Sequence, residues 1–311
     1  MTTVFVSHPQ GKKHIAPKDH PERPARLEAI EKVLGGSLFH DLIRVEAKQE
    51  DLQIAELVHT NAVLKKLHEI RPAEGISYID GDTYICANSL EAAASAIGAG
   101  LQALELVMSG EVDNGFCAVR PPGHHAEIER SMGFCLVNNI AIVARYAQQK
   151  YGVERVAIID FDVHHGNGTQ DIFYSDKSVF YGSSHQEEIF PGTGTLKEAG
   201  EGNIFNCPLS ANSDGEIMRQ AYNERILPAL ENFAPDIILI SAGFDAHWRD
   251  PLAQLNWQAD DFAWLTGKLM DIADKYCNNK IVSLLEGGYD LTGLADGVNA
   301  HVAMLKNGSL G

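Results

Sequence analysis

The sequence predicts an α/β protein built on a parallel sheet that helices cover on both faces, and three observations lead to this fold class. Near-continuous apolar, β-branched runs recur along the 311-residue chain, and helical patterns lie between them. Strands buried on both faces have this unbroken apolar character. No repeat, low-complexity tract, Ser/Gly linker or shift in composition marks a boundary, so residues 1–311 are predicted to form a single domain.

The predicted strands are short runs rich in valine, isoleucine and aromatic residues. They are residues 112–120, 155–163, 178–184, 235–244 and 280–288. Because right-handed crossovers place the carboxyl ends of parallel strands along one edge, and open α/β sheets bind ligands at that edge, the residues after each strand are the candidate site.

Helices are predicted between the strands, where apolar residues recur with helical spacing. The segments are 22–34, 89–108, 215–233 and 259–277. Asn88, with Glu91 three residues later, resembles a capping box that would open the Ala/Leu-rich segment 89–108.

Composition and charge narrow the classes of partner. The net charge of -17 argues against nucleic-acid binding and favours cationic ligands. The N-terminal MTTVFVSHPQ lacks a signal pattern, and no segment approaches the ~18 uninterrupted apolar residues of a membrane span, so we expect a cytoplasmic protein without a membrane partner. Five scattered cysteines without a C-x-x-C pair predict buried, reduced thiols.

A metal site is predicted where VAIIDFDVHHGNG (156–168) presents Asp160, Asp162 and His164 at alternate positions. On a strand, alternate side chains share a face. Two carboxylates held so near each other repel unless a positive charge lies between them. Asp162 and His164, joined by Asp245 after strand 235–244, would hold a divalent cation, with catalytic zinc the natural candidate. The alternative for Asp245 is a helix cap or turn residue.

Two adjacent histidines, His124 and His125, follow Pro-Pro-Gly, where the backbone can turn both inward. Asp160 could orient one ring and Asn167 the other. Because an aspartate partner favours imidazolium and an amide leaves the ring neutral, the pair would divide into an electrostatic role and a base role.

Three aromatic residues belong to glycine-rich segments. Tyr289, in GGY, suits a hydrogen-bond donor to a developing oxyanion, and its alternative is a surface turn tyrosine. Phe134 (MGFC) and Phe190 (IFPGTG) could be core residues, but the neighbouring glycines and prolines favour loops that form a slot for an alkyl chain.

Several catalytic signatures are absent from the sequence. It contains no G-x-S-x-G, H-E-x-x-H or G-x-x-x-x-G-K-[ST] pattern, which removes the motif basis for serine hydrolases, zincins and P-loop proteins. The H-x-E match at 125–127 lacks the P-C-x-x-C of zinc deaminases.

Taken in order, six motifs resemble the zinc-dependent histone deacetylase family: RPPGHHAE, GFCLVNN, IDFDVHHGNGTQ, FPGTGT, SAGFDAH and LEGGYD. HPERPARL (20–27) resembles the class II branch and its bacterial relatives, among them acetylpolyamine amidohydrolases. The resemblance spans about residues 8 to 300. It implies the arginase/deacetylase fold, a three-layer αβα architecture with a mainly parallel eight-stranded sheet, and deacetylation by metal-activated water.

The resemblance also implies roles for the reacting groups. One Zn²⁺ per chain would be held by Asp162, His164 and Asp245. His125 would be the general base and later acid, His124 its electrostatic partner paired with Asp160, and Tyr289 the carbonyl polariser. Asn167 matches the class II form.

Substrate and potassium contacts are implied in the same way. Phe134 and Phe190 would wall an acyl-lysine tunnel, the Gly133 carbonyl would accept the substrate N–H, and Asp82 would contact the substrate backbone or cationic end. Leu252, in DPLAQ, stands where polyamine-specialised relatives can carry an acidic gatekeeper.

The resemblance also implies a structural K⁺ site. A structural K⁺ would involve the backbone carbonyls of Asp160, Asp162 and His164, together with Ser183 and Ser184.

The sequence leaves several functions open. An acyl-lysine deacetylase is the leading hypothesis, and a deacetylase of small acetylated amines such as acetylpolyamines is the alternative. Asp245-Ala246-His247 resembles a motif of arginases, so a dimanganese ureohydrolase of the same fold is a less favoured alternative. A third class is a catalytically silent module that binds acylated partners. Acyl-chain length, oligomeric state and the choice between Zn²⁺ and Fe²⁺ cannot be determined from the sequence.

Overall fold

The computed structural model describes residues 1–308, and its centre is an eight-stranded sheet with the strand order β2-β1-β5-β10-β9-β6-β7-β8. All seven neighbouring pairs in this sheet are parallel, and β3 and β4 form a separate antiparallel hairpin. The strands are β1 Thr3–Ser7, β2 Ile43–Glu46, β3 Ile76–Tyr78, β4 Tyr84–Cys86, β5 Asn114–Ala118, β6 Val156–Asp160, β7 Val179–Gln186, β8 Ile204–Leu209, β9 Ile237–Ala242 and β10 Ile281–Leu285.

Helices pack against this sheet in groups, which confirms the predicted three-layer αβα class. The helices are α1 Ala25–Leu34, α2 Asn61–Ile70, α3 Ser89–Ser109, α4 Asn139–Tyr151, α5 Asn167–Phe173, α6 Gly215–Ala221, α7 Leu227–Phe233, α8 Ala259–Cys277 and α9 Leu291–Asn307. Helices α3 and α4 pack together, as do α1, α8 and α9. The single-domain organisation of 1–311 stays a prediction, and residues 309–311 lie outside the described part.

All five predicted strands are present, as β5, β6, β7, β9 and β10. Their central residues are fully buried, which explains the unbroken apolar runs. The strands missed from the sequence are β1, β2 and β8 in the main sheet and the β3–β4 hairpin. β2 is a largely exposed edge strand, and asparagine and proline interrupt the apolar run of β8, so neither carries that signal.

The four predicted helices are present with small differences at their ends. α8 has the predicted bounds, and α1 begins at Ala25, after Pro24, instead of residue 22. The 215–233 segment contains a π-helical turn, Tyr222–Ile226, which ends two residues before Pro228. Proline removes a backbone donor and disrupts regular α-helical bonding, and a π turn is one way to absorb it. Helices α2, α4, α5 and α9 were not predicted.

The predicted capping box at Asn88 is wrong, because the Asn88 side chain makes no cap hydrogen bond. Its backbone has φ -101° and ψ 7°, whereas a capping residue usually has extended backbone. A reciprocal capping box instead opens α8, between Gln258 and Asp261.

Helix α3 is long and apolar enough to span a membrane by length and composition. However, 72% of its apolar stretch is buried inside the protein, as expected for a core helix. The five cysteines are all buried and free, as the sequence predicted.

The sheet order explains where the site forms. Strands β5, β10, β9 and β6 are consecutive neighbours at the centre of the sheet. Because they are parallel, the loops after their carboxyl ends meet at one edge. These loops carry most of the residues singled out in the sequence.

Candidate active site

The candidate site is a cavity of about 220 Å³ at the carboxyl edge of the four central strands. Eight residues line it, and all eight were predicted from the sequence or the resemblance: Asp82, His125, Gly133, Phe134, His164, Phe190, Leu252 and Tyr289. The structure therefore brings together side chains that lie as far apart as residues 82 and 289.

Asp162, His164 and Asp245 form a compact group of potential metal ligands at this cavity. One ligand atom from each lies within 4.8 Å of the others, and it is the one such group among residues 1–308. The backbone N–H of Val163 donates to Asp245 Oδ1 (2.9 Å), and that of Gly287 donates to Asp162 Oδ2 (2.7 Å). Backbone donors thus hold both carboxylates, and Asp245 caps no helix, because the next helix begins only at Ala259.

The electrostatics of this group fit a divalent cation. Asp245 Oδ2 lies 3.2 Å from His164 Nδ1 but accepts no hydrogen bond, although it is buried. Burial and the neighbouring charge of Asp162 raise the pKa of the Asp245 carboxyl to about 7, even though His164 opposes the shift. Two carboxylates and one imidazole that leave coordination positions open are a ligand set suited to catalytic zinc.

Loop geometry, and not the pleat of a strand, brings Asp162 and His164 together. Strand β6 ends at Asp160, so the prediction that strand alternation aligns Asp160, Asp162 and His164 is wrong in its mechanism. The backbone N–H of His164 donates to Asp162 Oδ1 (2.9 Å), a local turn that directs both side chains to one place. Asp160 serves a different partner.

His124 pairs with Asp160, as predicted. His124 Nδ1 lies 3.0 Å from Asp160 Oδ2, which also accepts from the Tyr181 hydroxyl (3.0 Å). Burial alone would lower the pKa of His124, but the charges of Asp160, Asp162 and Glu286 outweigh it and raise that pKa to about 10. The ring is therefore held as imidazolium.

His125 pairs with Asn167 at 2.8 Å, between His125 Nδ1 and Asn167 Oδ1. The Asn167 amide nitrogen donates to Glu127 Oε1 (2.6 Å), which fixes the amide so that its oxygen faces the ring. His125 Nδ1 then carries the proton and Nε2 is left as a free base. Burial, followed by repulsion from His124 and His164, lowers the pKa of His125 well below its usual value.

Sequence reasoning missed the roles of Glu127 and Glu286. Glu286 Oε2 accepts from the backbone N–H groups of Gly123 (2.7 Å) and His124 (3.2 Å), which anchors the histidine loop. Burial raises the pKa of Glu286 to about 7. The charges of Asp160 and Asp162 also raise this pKa, whereas the charge of His124 lowers it. In the sequence, the only signal for Glu286 is its position directly after strand β10.

Gly133 and Phe134 turn sharply beside His125. Both have left-handed backbone, with φ 57° and 67°, and a Cβ on Gly133 would lie 2.6 Å from the His125 ring. Left-handed backbone is strained for a bulky side chain, and the Phe134 N–H is held by Thr83 Oγ1 (3.1 Å). Phe190 lies across the cavity, 42% exposed, with its ring centroid 5.0 Å from that of His125. Both phenylalanines are loop residues.

Tyr289 is 7% exposed, which excludes a surface turn tyrosine. The Arg26 guanidinium lies 4.9 Å from the centre of its ring, and the Phe134 ring packs edge-on at 5.9 Å. Arg26 Nε also donates to the Gly288 carbonyl (2.7 Å). Arg26 was not singled out in the sequence, where it sits within a helical pattern.

Asp82 and Leu252 also line the cavity, and both are exposed to solvent. Burial and the adjacent Asp80 raise the pKa of the Asp82 carboxyl. Leu252 is 38% exposed and gives this part of the cavity an apolar surface.

The remaining predicted residues lie nearby but outside the cavity lining. Ser183 is the register partner of Asp160 across β6 and β7, and Ser184 Oγ lies 3.0 Å from the Tyr222 hydroxyl. The potassium site stays a prediction. The His247 ring stacks with those of Trp248 and Phe262 and does not join the group of potential ligands.

Comparisons with known proteins agree with this geometry. A family profile described as "Histone deacetylase domain" matches residues 20–305. The chain is 39% identical over 305 residues to the chloroplastic histone deacetylase 10 of Oryza sativa subsp. japonica, covering 92% of this chain and 68% of that protein. It is 36% identical to a probable deacetylase of Archaeoglobus fulgidus, covering 94% and 83% of the two chains. The crystal structure of the HDA15 HD domain superposes with a TM-score of 0.92 at 35% identity, covering 98% and 89%.

Proposed function

Because the chain belongs to the histone deacetylase family, a family of hydrolases, we propose that it is a zinc-dependent amidohydrolase that removes acetyl groups from lysine side chains. The observation that carries the proposal is the division of the two histidines between different partners, next to a buried group of potential zinc ligands. Metal-assisted amide hydrolysis uses a general base and a Lewis acid, and a fixed positive charge nearby stabilises the negative charge that develops.

The metal would be held by Asp162, His164 and Asp245. When bound, zinc supplies Lewis-acid polarisation of the substrate carbonyl and lowers the pKa of the attacking water. The structural potassium ion, the single-domain organisation and a cytoplasmic location are further proposals from the sequence.

In the proposed mechanism, neutral His125 accepts a proton from the attacking water at Nε2. The same nitrogen then donates a proton to the leaving amine, so one group serves as base and acid. His124, held as imidazolium by Asp160, stabilises negative charge that develops beside it. The Tyr289 hydroxyl donates a hydrogen bond to the developing oxyanion.

Substrate binding follows from the cavity lining. Phe134 and Phe190 would enclose the methylene chain of acyl-lysine, and the Gly133 carbonyl would accept its amide N–H. Buried apolar walls with a few fixed polar groups are typical of small-molecule sites. A small acetylated amine is the second candidate, because Asp82 places a carboxylate at the mouth and the chain carries a net charge of -17. Leu252 favours acyl-lysine, since an apolar gate offers a polyamine no charge.

A turnover panel on zinc-loaded protein tests the proposal. Acetyl-lysine peptides, longer acyl-lysine peptides and acetylated polyamines are compared by kcat/KM, with acetate release as the readout. We expect acetyl-lysine peptides to be preferred, with loss of activity on chelation and recovery on adding Zn²⁺. Stoichiometric zinc without acetate release from any substrate would refute the function, and preference for polyamines would favour the second candidate.

Two substitutions test the assigned roles. We expect Tyr289→Phe to lower kcat about 100- to 1,000-fold, because it removes one oxyanion donor, and His125→Ala to lower it about 100- to 10,000-fold, because it removes the base. Matched controls are Tyr78→Phe and His68→Ala, which change exposed residues of β3 and α2. Unchanged turnover in either site variant would contradict its role.

A further inference from the structure

Asp250 lies in the loop after β9 and is 8% exposed. Its carboxylate accepts three backbone N–H groups. Oδ1 accepts from Leu252 (3.0 Å), and Oδ2 accepts from Tyr289 (2.7 Å) and Asp290 (3.2 Å). One side chain thus joins the loop that follows β9 to the loop that follows β10.

Both loops supply residues that line the cavity. Leu252 comes from the first loop and Tyr289 from the second, and they lie 37 residues apart in the sequence. The adjacent parallel strands β9 and β10 set the base of each loop, but strand pairing ends at Ala242 and Leu285. Beyond those residues, other contacts must fix the relative position of the two loops.

The Tyr289 loop needs such a contact because its backbone is intrinsically free. Two glycines precede Tyr289, and Gly288 has φ 116°, a conformation that other residues rarely adopt. Arg26 holds this segment through the Gly288 carbonyl and the face of the Tyr289 ring. Asp250 holds the same residue through its backbone N–H.

The charge of Asp250 points to the same role. Among residues 1–308, no lysine, arginine or histidine forms an ion pair with it, and a buried carboxylate without a cation is costly. The three backbone donors offset part of the cost of this burial. A carboxylate that accepts from backbone groups in two loops constrains both loops at once.

We propose that Asp250 is a positioning residue that acts on catalysis through Tyr289, by fixing the Tyr289 backbone relative to the Leu252 side of the cavity mouth. The inference rests on the proposed deacetylase function. Asp250 touches no reacting atom. It sets where the Tyr289 hydroxyl lies when the oxyanion develops.

This role predicts a separation between kcat and KM. The Tyr289 hydroxyl acts mainly on the transition state, so its displacement lowers kcat more than it raises KM. A displacement near 1 Å at a positioned catalytic group can cost about 100-fold in rate.

A double-mutant cycle on the zinc-loaded protein tests the proposal. We expect Asp250→Ala to lower kcat about 10- to 100-fold in the wild-type background with KM nearly unchanged. In the Tyr289→Phe background the same change should lower kcat less than about 3-fold, because the group that it misplaces is already absent. Asp250→Asn keeps one carbonyl oxygen for the Tyr289 N–H and should give an intermediate kcat.

Hydrogen exchange on the zinc-free protein gives a readout that does not depend on activity. Amide exchange in segment 286–294 should be faster in Asp250→Ala and Asp250→Asn than in the wild type. Asp214→Ala is the matched control, because Asp214 also accepts two backbone N–H groups, at the start of α6, away from the cavity. It should leave kcat and the exchange of this segment unchanged.

An equal fall of kcat in both backgrounds, or no fall in either, would overturn the proposal. If Asp250→Ala does not fold, the Asp250→Asn variant carries the cycle and the exchange measurement. Absence of turnover in the wild type would refute the deacetylase function instead, whereas unaltered exchange in segment 286–294 would refute the anchoring by itself.

Discussion

At the residue scale, the chemistry of the site depends on the partner that each histidine meets. His124 and His125 are adjacent in sequence and identical in type, yet their pKa values move in opposite directions. The carboxylate of Asp160 stabilises the charged ring, whereas the Asn167 amide orients the other ring without charging it. Glu127 completes this assignment by fixing the amide of Asn167.

The group of potential metal ligands depends on the absence of a side chain at Gly287. A Cβ at this position would lie 2.6 Å from Asp162 Oδ2 and 2.8 Å from Asp245 Cγ, so neither carboxylate could keep its place. We expect Gly287→Ala to weaken zinc binding at least about 10- to 100-fold, as for loss of groups that orient metal ligands. Competition with a fluorescent zinc chelator measures this affinity.

Gly81→Ala is the control for Gly287→Ala, because a Cβ at Gly81 meets no atom within 4 Å and its backbone is not left-handed. Zinc affinity should match the wild type in this control. If Gly287→Ala also bound zinc normally, the assignment of Asp162 and Asp245 as ligands would fail.

At the scale of elements, a buried ion network joins the segment before α1 to the loops around the cavity. Glu22 accepts from Arg120 and from Arg26 Nη1 (3.1 Å), as well as from the Tyr84 hydroxyl (2.9 Å). Arg26 continues from this network to the Tyr289 loop. The sequence pattern predicted residues 22–24 within the helix, but they precede it, and Glu22 belongs to this network instead.

Removing the Glu22 carboxylate should be strongly destabilising. Glu22→Gln would leave two buried guanidinium groups without their counter-charge, and we expect a loss of about 3–5 kcal/mol in the free energy of unfolding. Urea unfolding of the zinc-free protein measures this loss. Glu31→Gln, which breaks a half-exposed pair with Lys12, should cost less than about 1 kcal/mol. Equal losses in the two variants would show that the buried network adds nothing beyond a surface pair.

The sign of the pH effect at Glu22 follows from its pKa. Burial alone would raise this pKa, but Arg120 and Arg26 outweigh burial and hold it well below its usual range. The stabilisation by Glu22 is therefore complete above the ordinary glutamate pKa of about 4.3 and is lost as the pH falls toward the lowered value.

For the whole molecule, several buried histidines make stability fall with acidification. His301 lies between Thr266 Oγ1 (2.7 Å) and Ser283 Oγ (2.9 Å), and burial lowers its pKa to about 3. Above about pH 6.5 the ring is neutral in both folded and unfolded chains. Below that pH the unfolded chain binds the proton more readily, so stability is lost as the pH falls from 6.5 toward 3.

We expect His301 to account for about 2 kcal/mol of the stability lost between pH 7.5 and pH 5, since one pKa unit corresponds to about 1.4 kcal/mol. His301→Gln should therefore lose less stability over this interval than the wild type, by that amount, in urea unfolding of zinc-free protein. His68→Gln, an exposed change on α2, should keep the wild-type dependence. An unaltered dependence in His301→Gln would contradict the assigned protonation state.

Sequence information located most of the elements that carry a regular apolar pattern, although it missed the buried strand β1. The five predicted strands are buried along their whole length and α8 buries one face, so the strands show unbroken apolar runs and the helix shows helical spacing. The edge strand β2 and the interrupted strand β8 lack that pattern. The Asn88 cap failed because a cap depends on backbone angles that residue types do not specify.

By itself, the sequence determined the α/β class and the residue types around the site. It also showed that most of these residues follow the carboxyl ends of strands. Those properties follow from local periodicity and from motifs that need only neighbouring residues. Only the tertiary structure decided that β5, β10, β9 and β6 lie side by side, that Glu127 fixes Asn167, and that Glu286 and Asp250 bind the backbone of loops at the cavity. These contacts join residues far apart in the chain, and strand order and loop geometry, which no local pattern encodes, decide which of them meet.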